Sequence, residues 1–378
     1  MAPRKRGAAG ASPPSSSLNQ WPNGRSVSAR RPTTGGRIAS RGGLGLTVVS
    51  ELSFAFSSQR DTTWHMIDIF LRTLPFFAII GLGYWAGRTR FFSAEATAYL
   101  TKFVFYFALS AMIFRFSANL SFAEIFDQRL IMGYLAGTMA VYLLVTLVAA
   151  LRGLDMQTAA VEAQCAAIGN VGFLGLPMMV ILFGEASIGP MMLVLSVDLV
   201  VFSSLIVILI NTGRGTGLGL DTLKLVATGL IKNPMIVSIC CGLIWSSLAL
   251  PIPGPFNEFL TILGGAATPG ALFAIGASLA GKSAERVQVA VWLSFAKLVI
   301  HPLLVAIGVL WLLPLDAYSA TIVISAAALP VAGNVYMLAQ HYGIAPQRVS
   351  AAILFSTMAS ILTVPLAISW IGTLVTIP

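Results

Sequence analysis

The sequence predicts an all-α polytopic membrane protein: ten transmembrane helices arranged as two inverted five-helix repeats, with broken, crossing fourth and ninth helices. Three observations carry this. Of 378 residues, 57% are hydrophobic and only 10% charged, whereas a soluble domain carries roughly 25% charged residues. From Met66 onward, apolar runs recur that are each long enough to cross ~30 Å of hydrocarbon at 1.5 Å per residue. Two of these runs, in corresponding positions, are interrupted by Gly and Pro. Period-two alternation is absent, which excludes a β-barrel.

The runs fall at Asp68–Gly87, Ala94–Phe116, Arg129–Leu151, Gln157–Phe183, Ser187–Asn211, Lys232–Leu250, Asn257–Ala280, Glu285–Leu313, Ala317–Tyr342 and Gln347–Leu374. The fourth is interrupted at Gly169–Pro177 and the ninth at Pro330–Gly333. Shifting the first half by 159 positions lays Pro75 on Pro234, Gly83 on Gly242, Gly184 on Gly343 and Ala186 on Ala345. An odd number of helices per half forces the repeats into opposite orientations. The expected division is 66–211, a cytoplasmic linker at 212–231, and 232–378.

The net charge of +9 is unevenly spread. Residues 1–65 hold nine Lys/Arg against two acids, and residues 66–378 hold fourteen against twelve. The body therefore has no electrostatic footprint for nucleic acid. Its basic residues instead record orientation. The odd-numbered connections carry Arg88, Arg90, Arg152, Arg214, Lys224, Lys232, Lys282, Arg286 and Arg348, against Arg72, Arg115 and Arg129 on the other side. The odd connections are expected in the cytoplasm, with both ends of the helical body outside, as in a bacterial inner membrane.

Residues 1–45 are of low complexity, with Arg4-Lys5-Arg6, Arg30-Arg31 and Gly35-Gly36, and 1–65 as a whole reads as a disordered basic tail or a mis-assigned start. A weak export signal, a lipid-binding arm and translation from Met66 are the competing readings. Cys165, Cys240 and Cys241 form neither a disulfide framework nor a metal site.

A helix broken in hydrocarbon leaves backbone groups that only protein, water or ligand can satisfy. In the first break, Gly169, Gly172 and Gly175 permit close approach, Pro177 removes a donor and Asn170 offers both donor and acceptor. In the second, Pro330 and Gly333 interrupt the helix while Asn334 and Tyr336 supply polar groups. Half-helix N-termini suit a carboxylate and unwound carbonyls suit a cation. Lys297, deep in the eighth span, balances a substrate carboxylate or pairs with Asp198 of the fifth. Asp198 is the candidate for a coupling H+ or Na+; no metal cofactor is expected. Glu162 and Gln164 read as interfacial, Lys102 as snorkelling and His301 as a hydrogen-bonded core histidine. The sequon at Asn119 carries no assignment. The Gly-rich stretch after Gly213 lacks the Lys-Ser/Thr of a phosphate loop and reads as a flexible connection.

At these residues the sequence resembles the auxin efflux carrier family, which includes plant PIN proteins and bacterial malonate or dicarboxylate carriers. The resemblance rests on Asn170 with Gly175-Leu176-Pro177, on Ala328-Leu329-Pro330 continuing to Asn334 and Tyr342-Gly343, and on Lys297 five residues before Pro302. It implies an elevator-type carrier in which spans 3–5 and 8–10 move against 1–2 and 6–7. It also implies a substrate-binding role for Asn170 and a crossover role for Pro330. Gly169 stands where plant members have a proline, and Ser110 replaces a proline of the second span, while Pro269 keeps its counterpart. These departures point away from auxin and toward a small carboxylate such as malonate.

The expected protein is a secondary transporter of an organic anion, not an enzyme. Its expected partners are that anion, the bilayer and, as an open alternative, a second copy in a homodimer. The competing readings are a cation-coupled carrier of the bile-acid/Na+ symporter type and a membrane receptor that does not transport.

Overall fold

The computed structural model describes residues 46–120, 126–215, 219–281 and 287–374, with side chains from residue 66 onward. The chain divides into two units, Met1–Phe54 and Ala55–Pro378, and the second contains all the packing described below. The basic motifs of residues 1–45, Ser121 of the sequon, Lys282, Arg286 and the first residues of the eighth span lie outside the described residues.

Every regular element among the described residues is helical. We number them α1 (Leu46–Arg88), α2 (Ala94–Ala118), α3 (Gln128–Leu151), α4 (Met156–Ala167), α5 (Val171–Phe183), α6 (Glu185–Gly213), α7 (Leu220–Lys232), α8 (Pro234–Ser247), α9 (Gly254–Ala280), α10 (Val287–Leu312), α11 (Ala317–Ala327), α12 (Gly333–Tyr342) and α13 (Pro346–Leu374). Seven helices are long and apolar enough to cross a membrane, with Met66–Arg88 as the apolar part of α1, and the bent pair α7–α8 makes up to eight. α5 and α11 are shorter apolar helices.

Two sequence expectations need correction. Residues 46–65, read as part of the tail, have helical backbone. No Gly or Pro interrupts the chain from Leu46 to Leu74, and extending a helix costs little once a turn exists. The expected linker 212–231 holds most of α7, which begins just after the Gly-rich stretch and meets α8 at a 66° bend. Pro234 cannot continue α7, and the Asn233 side chain caps α8 by accepting from the Met235 N–H at 3.0 Å.

The outer surface is that of a body immersed in lipid. On α3, Leu143, Leu147 and Leu151 form an exposed stripe at helical spacing, while Tyr134, Thr138, Val141 and Val145 are buried. Only an apolar solvent makes such a stripe cheap, since water would drive it into an interface.

The helices pack in two groups. α2 lies against α8 and α9, and α1 meets α9 where a methyl on Gly87 would come within 2.7 Å of the Ala277 carbonyl oxygen. In the other group α3 packs on α4 and α10, α10 on α13, and α11 on α6, α10 and α13. A methyl on Gly137 would stand 2.5 Å from the Val305 Cα, so α3 and α10 approach as closely as backbones allow.

Candidate functional site

α4 stops at Ala167 and α5 begins at Val171; α11 stops at Ala327 and α12 begins at Gly333. The two breaks meet. Gly169 and Val331 pair as an isolated antiparallel bridge. The Asn170 N–H donates to the Pro330 carbonyl at 2.8 Å, and the Ala332 N–H donates to the Ile168 carbonyl at 3.1 Å. Each break thus satisfies backbone groups that the other leaves open, which is how an interrupted helix persists away from water. Ser356 of α13 contributes as well, its hydroxyl oxygen accepting from the buried Val331 N–H at 3.1 Å.

Local conformation follows from residue type. Asn170, at φ −78° and ψ 57°, forms an inverse γ-turn closed by the Val171 N–H on the Gly169 carbonyl at 2.8 Å. Its own carbonyl then accepts from Leu174 and Gly175, starting α5 as a π-turn. Pro177 lies inside α5, where it was expected at the break. The wider π-turn frees backbone groups just where proline brings no N–H. The first break is therefore confined to residues 168–170.

Beside the crossing lies a cavity of about 650 Å³. Asn170, Pro330, Gly333, Asn334 and Tyr336 line it, together with Phe173 and Leu174. Its far walls come from α2, with Thr97, Thr101 and Lys102, and from α9 between Ala271 and Gly281. The Asn334 side-chain oxygen is buried and has no hydrogen-bond partner. The lining is mostly apolar, with Asn, Thr, Ser and Lys residues among it, which is the composition of a small-molecule site.

Five of the residues singled out from sequence thus share the cavity, and the others lie elsewhere. Gly172 packs on α8, where an added methyl would come 2.8 Å from Met235 Cε, and Gly175 packs on Met191. The Ser110 hydroxyl donates to the Phe105 carbonyl of its own helix at 3.1 Å. Lys297 and Asp198 are buried behind the crossing and do not line the cavity. Asp198 accepts from the Tyr134 hydroxyl at 2.8 Å, and its second oxygen has no partner. No ion pair within 4 Å joins it to Lys297 among the described residues.

His301 is the hydrogen-bonded core residue expected, lying 3.0 Å from the Thr138 hydroxyl and 2.9 Å from Lys297 Nζ. Glu162, read as interfacial, is buried and bridges two arginines, Arg152 at 2.7 Å and Arg348 at 2.5 Å. Sequence reasoning missed Lys102 as a cavity residue, along with Thr97 and Thr101. The four-residue spacing of the threonines put them on one helix face, but which neighbour that face meets is decided by tertiary packing.

A helical body with an apolar exterior, holding an amide-lined cavity at two crossed helix breaks, defines a membrane transport protein. The chain belongs to the membrane transport protein family, whose model matches residues 68–368. It is 28% identical over 305 residues to the "Putative malonate transporter" of Rhizobium meliloti (strain 1021), covering 79% of this chain and 94% of that protein. It is 24% identical over 304 residues to the "Uncharacterized transporter YfdV" of Escherichia coli (strain K12), covering 78% of this chain and 94% of that protein. An "Uncharacterized transporter" of Methanothermobacter thermautotrophicus is 26% identical over 300 residues, covering 78% of this chain and 95% of that protein.

Proposed function

We propose that this transporter carries a small organic carboxylate, of which malonate is the type case, by elevator-type alternating access. The observation that carries the reading is the hydrogen-bonded crossing that brings Asn170 and Asn334 to one cavity that Lys102 also lines. Two amides and hydroxyls can orient a carboxylate while the ammonium balances its charge. The name of the Rhizobium relative supports the substrate class.

The inverted repeat is supported by a pair of contacts. A methyl on Gly83 of α1 would fall on the Phe273 carbonyl of α9, and one on Gly242 of α8 would stand 2.8 Å from the Phe114 carbonyl oxygen of α2. The same shift of 159 positions that relates Gly83 to Gly242 relates Phe114 to Phe273. The two packing groups correspond to a scaffold of α1, α2, α8 and α9 and a mobile part of the remaining spans. The cavity reaches the ends of α9 and α12 and the start of α2. The Lys/Arg count assigns these ends to the cytoplasm, so this is the inward-facing state, with both ends of the body outside. Asp198, with one oxygen open, is the group that would hold a coupling proton.

The test is uptake of labelled malonate into proteoliposomes by the purified protein and by Asn170→Ala and Asn334→Ala. Both variants should purify normally and lose most uptake. Uptake at the wild-type rate by both would overturn the site.

A further inference from the structure

Lys297 is fully buried, and a charge so placed needs compensation. It has no carboxylate within 4 Å among the described residues. Its Nζ instead donates to the Ala327 carbonyl at 2.5 Å. Ala327 is the last residue of α11, so the ammonium caps the C-terminal end of a half-helix. The last carbonyls of a helix have no intrahelical partner and carry partial negative charge. In carriers built from broken helices, such ends commonly coordinate the coupling metal ion.

The surroundings favour a cation further. Nζ also lies 3.2 Å from the point where a Cβ on Gly169 would stand. The ammonium therefore reaches into the crossing itself, and the missing side chain of Gly169 makes the room. In the last turns of the two half-helices that enter the crossing, Gln164 Oε1 and Ser325 Oγ are buried without hydrogen-bond partners. These are neutral oxygens of the kind that an alkali cation takes, and the ammonium itself hydrogen-bonds neither. On its other side Nζ meets His301 Nδ1 at 2.9 Å, and His301 Nε2 lies 3.0 Å from the Thr138 hydroxyl. With the ring proton on Nε2 donating to Thr138, the histidine is neutral and accepts from the lysine.

We propose that the Lys297 ammonium is a built-in cation, standing where a monovalent metal ion would sit at the C-terminal end of α11, so that this carrier works without sodium. Part of the test rests on the transport reading above and part does not. The first arm uses the purified protein in detergent, whose melting temperature is followed as NaCl replaces choline chloride at constant ionic strength. The wild type should not respond. Lys297→Met removes the charge at similar length; it should melt lower in choline and recover by roughly 2 °C or more in Na+, through ligand linkage.

The second arm is malonate uptake in the same two salts. The wild type should run equally in both. Lys297→Met should be down roughly tenfold in choline and partly restored by Na+. The proposal is overturned if Na+ raises the wild-type rate or melting temperature, a result that requires no variant to fold. It is overturned equally if Lys297→Met matches the wild type in choline, or if Na+ neither stabilises nor reactivates it. The melting arm holds whatever the cargo is, so failure of the carboxylate reading leaves this one separately decided.

Discussion

The crossing has two faces whose polar groups are arranged for different work. Toward the cavity, Asn334 keeps an unpartnered oxygen, and Asn170 spends its backbone on the crossing while its side chain lines the space. Behind the crossing, Lys297, His301 and Thr138 form a bonded chain, and Ser356 closes the Val331 N–H. Buried polar groups normally find partners because leaving one open costs about 1–3 kcal/mol. Open buried oxygens occur beside the cavity, at Asn334, and away from it, at Asp198, Gln164 and Ser325. The rear face holds the geometry that keeps the front face open.

This difference can be broken from the rear. The largest effect is expected for Glu162→Ala, which strands Arg152 and Arg348 and unties α4 from the start of α13. Removing one member of a buried ion network costs about 3–5 kcal/mol, so the purified variant should melt far below the wild type. Thr138→Val removes the partner of His301 Nε2 and Ser356→Ala removes that of the Val331 N–H. Each should cost about 1–3 kcal/mol, read as a lower melting temperature. The front face should behave in the opposite way: Asn334→Ala should leave the melting temperature almost unchanged while uptake falls.

The smallest effect concerns a cap outside the membrane. The Asp155 side chain accepts from the Thr158 N–H at 2.9 Å at the start of α4. Hydrogen bonds from the Thr158 backbone and side chain hold its carboxyl below the usual carboxylate range. A lowered value in the folded state means that the cap stabilises fully above that range and loses its effect as pH falls through the lowered value. Asp155→Ala should cost about 1 kcal/mol near neutrality. Its melting temperature should converge on the wild type below about pH 4; a constant gap would show that the cap does not work through its charge.

The helical spans were legible because lipid selects a single property, apolarity over a fixed length. Observed helix ends such as those of α3 and α13 fall within a residue of the expected ones. The breaks were legible where backbone chemistry is local, as at Pro330–Gly333. Pro177 misled because a proline breaks a regular α-helix but fits a π-turn, and nothing in the sequence distinguishes the two. Glu162 was misread for a definite reason. A charge near the end of a span reads as interfacial unless its neighbours are known, and Arg348, which completes the Glu162 network, lies 186 positions away. Lys102, read as snorkelling, is exposed and also lines the cavity.

The π-turns recur beyond the first break. Lys297 lies in one, Ala296–Ile300, and Asp198 opens another, Asp198–Phe202. Each such turn holds one residue more than a regular helix would use over the same length. Deleting a single residue there would leave an unbroken α-helix with the facing beyond it nearly unchanged, whereas the same deletion in a regular stretch would rotate everything beyond by about 100°. A deletion in the regular helix just before Ala296–Ile300 would by contrast turn the Lys297 ammonium toward the wrong neighbour with the composition otherwise untouched. In the regular helix around these turns a one-codon deletion is thus a larger change than most substitutions, because it alters the direction in which a side chain points while preserving what it is, whereas the π-turn itself can absorb it.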